Sequence, residues 1–213
     1  MDGTARDLLD HDSGAGSGGG AKIGPNALLQ LVPVLDRVGG TELRGHLFAS
    51  GGVFELPDGS AMIDEMPVAR VHQAMRRELA DLAPALAWAA GKRTGDYILV
   101  NRIPRAAQYL LHLLPARLAV PMLTRAIARH AWTFAGSGRF SVKGGAMPVF
   151  EIADNPMVRG EFGAHPVCHW HAAVFERLFT RLIDPAFRCE ETACCAAGAP
   201  ACRFEMRLIA PAP

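Results

Sequence analysis

The stretch FRCEETACCAAGAPACRFEMRLI, residues 187–209, decides how this chain folds at its C-terminal end. Its two halves, 187–193 and 202–209, are rich in side chains typical of strands. The residues between them, Ala197-Gly198-Ala199-Pro200, are typical of a turn. Four of the chain's five cysteines also lie here. This strand-turn-strand corner is therefore the first candidate for a functional site.

The spacing of the polar side chains in this stretch indicates a metal site. Five cysteines, an odd number, argue against a disulfide framework in a protein that we expect to stay in the cytoplasm. Glu191, Cys194 and Cys202 would place one carboxylate and two thiolates around a single corner. A fourth ligand then has to come from elsewhere in the chain.

Cys168 is the candidate for this long-range ligand. Pro166 predicts a helix start, and the N-terminus of a helix stabilises a thiolate. Cys189 and Cys195 remain alternatives for the same role. A further alternative is that the cysteines only pack as small hydrophobic side chains.

The rest of the chain is predicted to be helical up to residue 131 and to return to strands after it. Helices are expected at 25–39, 42–49, 67–102, 105–114, 116–131 and 167–183, with interruptions at Pro84 and Gly91. The segments 132–142 and 147–152 predict a hairpin. Helices with an antiparallel sheet imply an α+β fold.

The first 22 residues differ from the rest in composition. They are polar and then rich in Gly and Ser, which predicts a flexible tail at 1–22 and a single ligand-binding domain at 23–210. Gly14, Gly16 and Gly19 satisfy a dinucleotide-binding pattern only formally, because no apolar strand precedes them.

Composition and charge exclude several classes of function. Lys plus Arg number 22 and Asp plus Glu number 21, so the formal charge of +1 does not favour nucleic acid as a partner. The apolar stretches stop short of the roughly 18 residues that a transmembrane helix requires. Asp2, Asp7 and Asp10 stand where a signal peptide needs a basic start, which favours the cytoplasm.

The residues of the C-terminal corner also resemble a known family. The chain resembles the 4-vinyl reductase domain family, a small-molecule-binding module also found in phenol-sensing activators, from about Gly24 to Leu208. In the phenol sensors, three cysteines and a glutamate at these relative positions hold zinc. The resemblance rests on Cys168, Glu191-Thr192-Ala193-Cys194, Gly198, Cys202 and Phe204. It implies a structural zinc on Cys168, Glu191, Cys194 and Cys202.

Within this family the chain is most similar to members that act in bacteriochlorophyll synthesis. That similarity implies reduction of the vinyl group of a divinyl (proto)chlorophyllide or magnesium-porphyrin precursor. It also implies a fold like that of vesicle-tethering and heme-NO-binding domains, often as homodimers, with other pathway enzymes as partners. Peripheral attachment to the photosynthetic membrane stays open. No redox-cofactor motif is visible, so the electron donor, the catalytic residues and the cofactor-binding residues remain unassigned.

Three alternatives to catalysis of vinyl reduction stay open. The chain can be a non-catalytic carrier that binds a tetrapyrrole precursor and delivers it to pathway enzymes. It can be a ligand-responsive regulator that acts through a separate partner. Dithiol chemistry at Cys194-Cys195 is the third, although adjacent cysteines lack the C-x-x-C spacing.

A pigment site would need aromatic walls, basic groups for propionates and an imidazole for magnesium. The candidates are Trp88, Tyr97, Tyr109, His112, His130 and Trp132, with Arg102 and Arg105. The two tryptophans favour core positions, and the two histidines favour surface or capping positions. His165, His169 and His171 stand close to Cys168, as candidate partners of the metal ligands or as proton donors.

Overall fold

The computed structural model describes residues 20–144 and 147–209 and has the α+β architecture that the sequence predicts. The helices of the described residues are α1 (Asn26–Leu29), α2 (Val32–Ser50), α3 (Glu65–Glu78), α4 (Ala83–Asn101), α5 (Arg105–Leu113), α6 (Ala116–Arg129), α7 (Trp132–Ala135) and α8 (His169–Leu182). The strands are β1 (Lys22–Ile23), β2 (Ile63–Asp64), β3 (Arg139–Lys143), β4 (Val149–Ala153), β5 (Phe187–Ala193) and β6 (Ala201–Leu208). Short 3₁₀ turns lie at Pro156–Val158 and Cys195–Ala197.

The four long strands form one antiparallel sheet in the order β3-β4-β6-β5. Phe150 on β4 lies opposite Phe204 on β6, and both side chains are fully buried. Phe175 of α8 packs on both, with ring centroids 4.7 Å and 5.4 Å away. Alternate residues of the strands thus turn one face of the sheet towards α8, as the period of two requires.

Helix α8 is covered on its other side by α4, and two glycines make the close approach possible. A Cβ atom on Gly91 would lie 2.4 Å from the carbonyl oxygen of Trp170. A Cβ on Gly95 would lie 2.7 Å from the side chain of Arg177. The expectation that Gly91 interrupts the helix is therefore wrong: α4 runs through it, and the glycine serves helix packing. Pro84 stands in the first turn of α4, where proline is tolerated.

The predicted hairpin is present, but its first strand begins later than expected. Arg139–Lys143 pairs with Val149–Ala153, whereas Trp132–Ala135 is a short helix and not strand. The carbonyl of Thr133 accepts a hydrogen bond from the amide of Gly24 at 2.7 Å. This contact next to β1 holds the segment against the other end of the described chain. A local pattern could not anticipate it.

The glycine pair at 39–40 marks a kink. Both residues have non-helical backbone angles inside α2, so the two predicted helices are joined there. Most of the predicted tail, residues 1–19, and the three glycines of the dinucleotide-like pattern lie outside the described residues. Lys22 already pairs with Asp64 in β1, one residue before the predicted start of the domain. The single-domain division stays a prediction.

Candidate metal centre

Four side chains from three separate segments meet at the corner between β5 and β6. The Sγ atoms of Cys168 and Cys202 are 3.5 Å apart, and those of Cys194 and Cys202 are 3.7 Å apart. Cys168 and Cys194 approach to 3.9 Å. One donor atom from each cysteine and one carboxylate oxygen of Glu191 all lie within 4.8 Å of one another. These four residues, here called the metal corner, are the set that the sequence predicted.

The local structure explains how the corner brings its members together. Cys168 is the residue that caps the N-terminus of α8. Glu191 lies where the pairing of β5 with β6 shifts its register, just before Ala193. Cys194 follows the strand, and Gly198, with a left-handed φ of 82°, turns the chain back into β6. This turn returns Cys202 to the side of Cys194.

The donor set fits a metal ion, and one unsatisfied atom supports this. The backbone amide of Cys168 donates to Oε2 of Glu191 at 2.6 Å. Oε1 of the same carboxylate is buried and has no hydrogen-bond partner among the described residues. A buried oxygen without a partner costs free energy, which a cation would offset. Three thiolates and one carboxylate oxygen complete the tetrahedral shell that zinc prefers.

The electrostatics of the metal corner reflect the crowding of four acidic groups. The Cys168 and Cys202 thiols donate towards Cys194 and hold the pKa of that thiol well below its usual range. Burial and the nearby Cys194 raise the pKa of Glu191 to about 8. Burial also raises the pKa of Cys168. Without a cation these groups therefore retain protons, which a divalent metal would displace.

The two rival cysteines lie apart from this cluster. Cys189 is on β5, two residues before Glu191, and is paired with Met206 of β6. Its backbone amide donates to Glu176, and its side chain is buried. The Sγ atom of Cys195 points to the carbonyl oxygen of Ile152 at 3.8 Å. The tertiary structure thus separates these two cysteines from the other three.

Asn155 is a neighbour of the metal corner that the sequence did not reveal. It is 1% exposed, and its Nδ2 atom donates to Sγ of Cys168 at 3.4 Å. Its Oδ1 atom accepts from the amide of Met157, which fixes the side chain. The dipeptide Asn155-Pro156 is a recognisable turn signal, but nothing in it points to a cysteine thirteen residues away.

The three histidines close in sequence do not bond to the four donor side chains among the described residues. His165 is exposed. His169 is half-buried, and burial lowers its pKa. His171 is buried, and one of its ring nitrogens is 3.1 Å from the carbonyl oxygen of Phe134. Burial lowers the pKa of His171 to about 4, so this ring is neutral near pH 7.

The candidate pigment residues are dispersed over the helical part. Arg105 and His112 line the same open cleft, of about 250 Å³, between α4, α5 and α8. Trp132 is 57% exposed, so the expectation of a core position for it is wrong. His130 caps α6 and is exposed, as predicted. The others lie apart from that cleft: Trp88 and Tyr97 are half-buried, Tyr109 is exposed, and Arg102 stands over the Tyr97 ring.

Comparison with known proteins confirms the resemblance. A family model of the 4-vinyl reductase domain matches residues 148–208, which include the whole metal corner. The bacteriochlorophyll synthase 23 kDa chain of Cereibacter sphaeroides is 52% identical over 185 residues, 87% of this chain and 90% of that protein. The protein of the same name from Rhodobacter capsulatus is 44% identical over 183 residues, 86% of this chain and 85% of that protein.

Among solved structures the fold is similar to that of H-NOX proteins. One, from work entitled "Probing the function of heme distortion in the H-NOX family", has a TM-score of 0.55. The match covers 89% of this chain and 97% of that chain at 10% identity, so it speaks for the fold alone. Among the residues that the structure describes, no helix is both long and apolar enough to cross a membrane.

Proposed function

Because the chain belongs to the family of the bacteriochlorophyll synthase 23 kDa chains, we propose that it takes part in bacteriochlorophyll synthesis by binding a divinyl magnesium tetrapyrrole for reduction of its vinyl group. The observation that carries the proposal is the 52% identity, which extends over 87% of the chain. The site of the tetrapyrrole belongs to the same proposal. So do the homodimer and the other pathway enzymes as partners.

The fold supports a tetrapyrrole as the bound molecule. The H-NOX proteins that share it are described by the distortion of their heme, an iron porphyrin. A chlorophyll precursor is a macrocycle of the same class with magnesium at its centre. Arg105 and His112, in the cleft beside α5, offer a basic group and an imidazole to such a molecule.

We assign a structural zinc ion to the metal corner. Cys168, Glu191, Cys194 and Cys202 would hold it, and all four positions of a tetrahedral shell would be filled by the protein. When bound, such a metal supplies folding free energy and not a position for substrate. It would pin the start of α8 to the β5–β6 turn.

The closed donor set favours the carrier form of this role over catalysis by the chain itself. A reductase must place a hydride or electron donor and a proton donor at the vinyl group. The four donor side chains of the metal corner face one another, and Cys168, Cys194 and Cys202 are at most 3% exposed. In the carrier form the chain binds the precursor and presents it to a separate reductase.

A single-turnover experiment separates these forms. Purified chain of known metal content is mixed with divinyl chlorophyllide and either reduced nicotinamide or reduced ferredoxin. Both the pigment absorbance and the ethyl product are followed. A spectral shift with product assigns catalysis to the chain. A shift without product, with a faster partner reductase on addition of the chain, assigns the carrier role. No shift and no product would contradict the proposal.

A further inference from the structure

The outward side of α5 is apolar, although a helix at the surface normally turns polar side chains outward. Leu111 is the buried residue of this helix. Leu113 is 84% exposed and Tyr109 is 69% exposed, and both project from the side opposite Leu111. Leu110, beside them, is 48% exposed. The core therefore does not account for these three large side chains.

Helix α6 continues this surface with a mixed stripe. Leu118 and Met122 are 47% and 40% exposed. Arg125 and Arg129 follow them at helical spacing, and both are exposed. The stripe thus combines apolar side chains with arginines, which is the composition of helices that lie in a membrane interface.

The charge of this region has a single sign. From Tyr97 to Phe150 the sequence contains no Asp or Glu. Within α5, α6 and the turns that flank them lie five arginines, Arg102, Arg105, Arg117, Arg125 and Arg129. Across the described part of the chain, none of these five forms an ion pair with a carboxylate.

Arginines elsewhere in the chain behave differently. Arg76, for example, pairs with Glu161, and Arg177 pairs with Asp96. The arginines of α5 and α6 therefore keep their charge for an anion outside the chain. The small overall charge of +1 conceals this asymmetry.

We propose that α5 and α6 form a docking surface for an anionic lipid bilayer. Tyr109, Leu110 and Leu113 enter the boundary between headgroups and acyl chains, where tyrosine and leucine are both favoured. The arginines of both helices contact the anionic headgroups. Attachment is peripheral and reversible. It does not depend on the pigment role proposed above.

The test is cosedimentation of the full chain with pigment-free vesicles. One set is pure phosphatidylcholine and the other contains about 30 mol % phosphatidylglycerol, whose headgroup is anionic. We expect binding to the anionic set that weakens with added salt, since surface charges are screened. Each basic residue near such a surface contributes about fivefold in affinity. Arg125→Gln together with Arg129→Gln should therefore lower the affinity roughly 25-fold.

Two matched controls keep the test specific. Leu113→Ser should weaken binding by about tenfold. Phe54→Ser changes a side chain that is also 84% exposed but lies outside α5 and α6, and should not weaken it. Arg37→Gln with Arg70→Gln removes the same charge from α2 and α3 and should also leave binding unchanged.

Three results would overturn the proposal. The first is equal affinity for neutral and anionic vesicles, or no binding to either. The second is an equal loss in the test and control variants. The third is a dimer in light scattering that Leu113→Ser converts to a monomer, which would assign the surface to a second copy of the chain. Since the vesicles carry no pigment, none of these results depends on the proposed pigment role.

Discussion

The metal corner and the α5–α6 surface are opposite solutions to the placement of chemically active side chains. In the corner, three cysteines that are at most 3% exposed meet from α8, β6 and the turn between β5 and β6. On the surface, Leu113 is 84% exposed and its neighbours come from the adjacent turns of one helix. The corner is held by contacts between distant segments. The surface needs little more than two helices.

This difference predicts where mutations act. A change in the corner removes contacts that join separate elements, so it should affect folding strongly. A change on the α5–α6 surface removes few internal contacts, so it should affect folding little and binding more. The predictions below test this contrast, from the largest expected effect on stability to the smallest.

Replacement of Cys202 by serine should have the largest effect. If the metal is structural, Cys202→Ser releases it and lowers the free energy of unfolding by about 4 kcal/mol or more. Cys195→Ser is the matched control, because its Sγ atom lies outside the cluster, and it should cost less than about 1 kcal/mol. Metal analysis and chemical denaturation measure both. Full metal content in Cys202→Ser would remove the proposed site.

A variant of the carboxylate separates ligation from folding, should the cysteine variant fail to fold. Glu191→Gln retains an oxygen that can accept from the Cys168 amide but removes the charge. We expect metal affinity to fall by about 10- to 100-fold, the range known for weakened metal sites. Competition with a chromogenic chelator measures this. An unchanged affinity would show that Glu191 is not a ligand.

Close packing behind the corner should give the second effect. Gly91→Ala places a Cβ atom 2.4 Å from the Trp170 carbonyl oxygen, so α4 and α8 must separate. We expect a loss of about 2–3 kcal/mol in denaturation experiments. Gly45→Ala, with no atom within 4 Å of the added Cβ, should instead stabilise the protein by about 0.5–1 kcal/mol. Equal effects at both positions would contradict the packing argument.

The buried histidine beside Trp170 should make the stability depend on pH. Burial lowers the pKa of His72 from its ordinary value of 6.5 to about 3, and its Nε2 atom is 2.9 Å from the Ala27 carbonyl oxygen. Between these two values the unfolded chain binds a proton that the folded chain does not. The stability from this group is therefore complete above pH 6.5 and is lost as the pH falls.

From about pH 7 to pH 5 the expected loss due to His72 is about 2 kcal/mol. His72→Gln keeps a donor for the carbonyl and should flatten the slope of unfolding free energy against pH by that amount. His165→Gln, at an exposed position, is the matched control. If His72→Gln and the unmodified chain show the same slope, the neutral buried histidine is refuted.

The smallest effect on stability is expected at the α5–α6 surface. Leu113→Ser should change the free energy of unfolding by less than about 0.5 kcal/mol, because the side chain is mostly in solvent. The same variant should lose most of its affinity for anionic vesicles. A large loss of stability would show that this residue belongs to the core, and the contrast between the two regions would fail.

Local patterns predicted most of the elements of this fold. The bounds of β5 match the predicted strand 187–193, and α5 ends one residue before the predicted position. The errors lie where a distant contact decides the local structure. Trp132–Ala135 is helical next to β1, and Gly91 lies inside a continuous helix because α8 passes close to it.

The sequence by itself determined the donor types of the metal corner, because Glu191, Cys194 and Cys202 flank one turn and their spacing is local. The family resemblance added Cys168. The sequence also determined the absence of acidic residues along α5 and α6. These are properties of neighbouring positions, and they can be read without a fold.

Only the tertiary structure decided which cysteines meet. Cys168 comes within 3.5 Å of Cys202 because α8 starts beside the sheet, while Cys189 stays two residues further along β5. The structure also revealed Asn155, the unpartnered oxygen of Glu191 and the apolar outward side of α5. Each depends on how elements far apart in the chain pack together. Burial and contact of that kind are settled by the whole chain, and no local spacing encodes them.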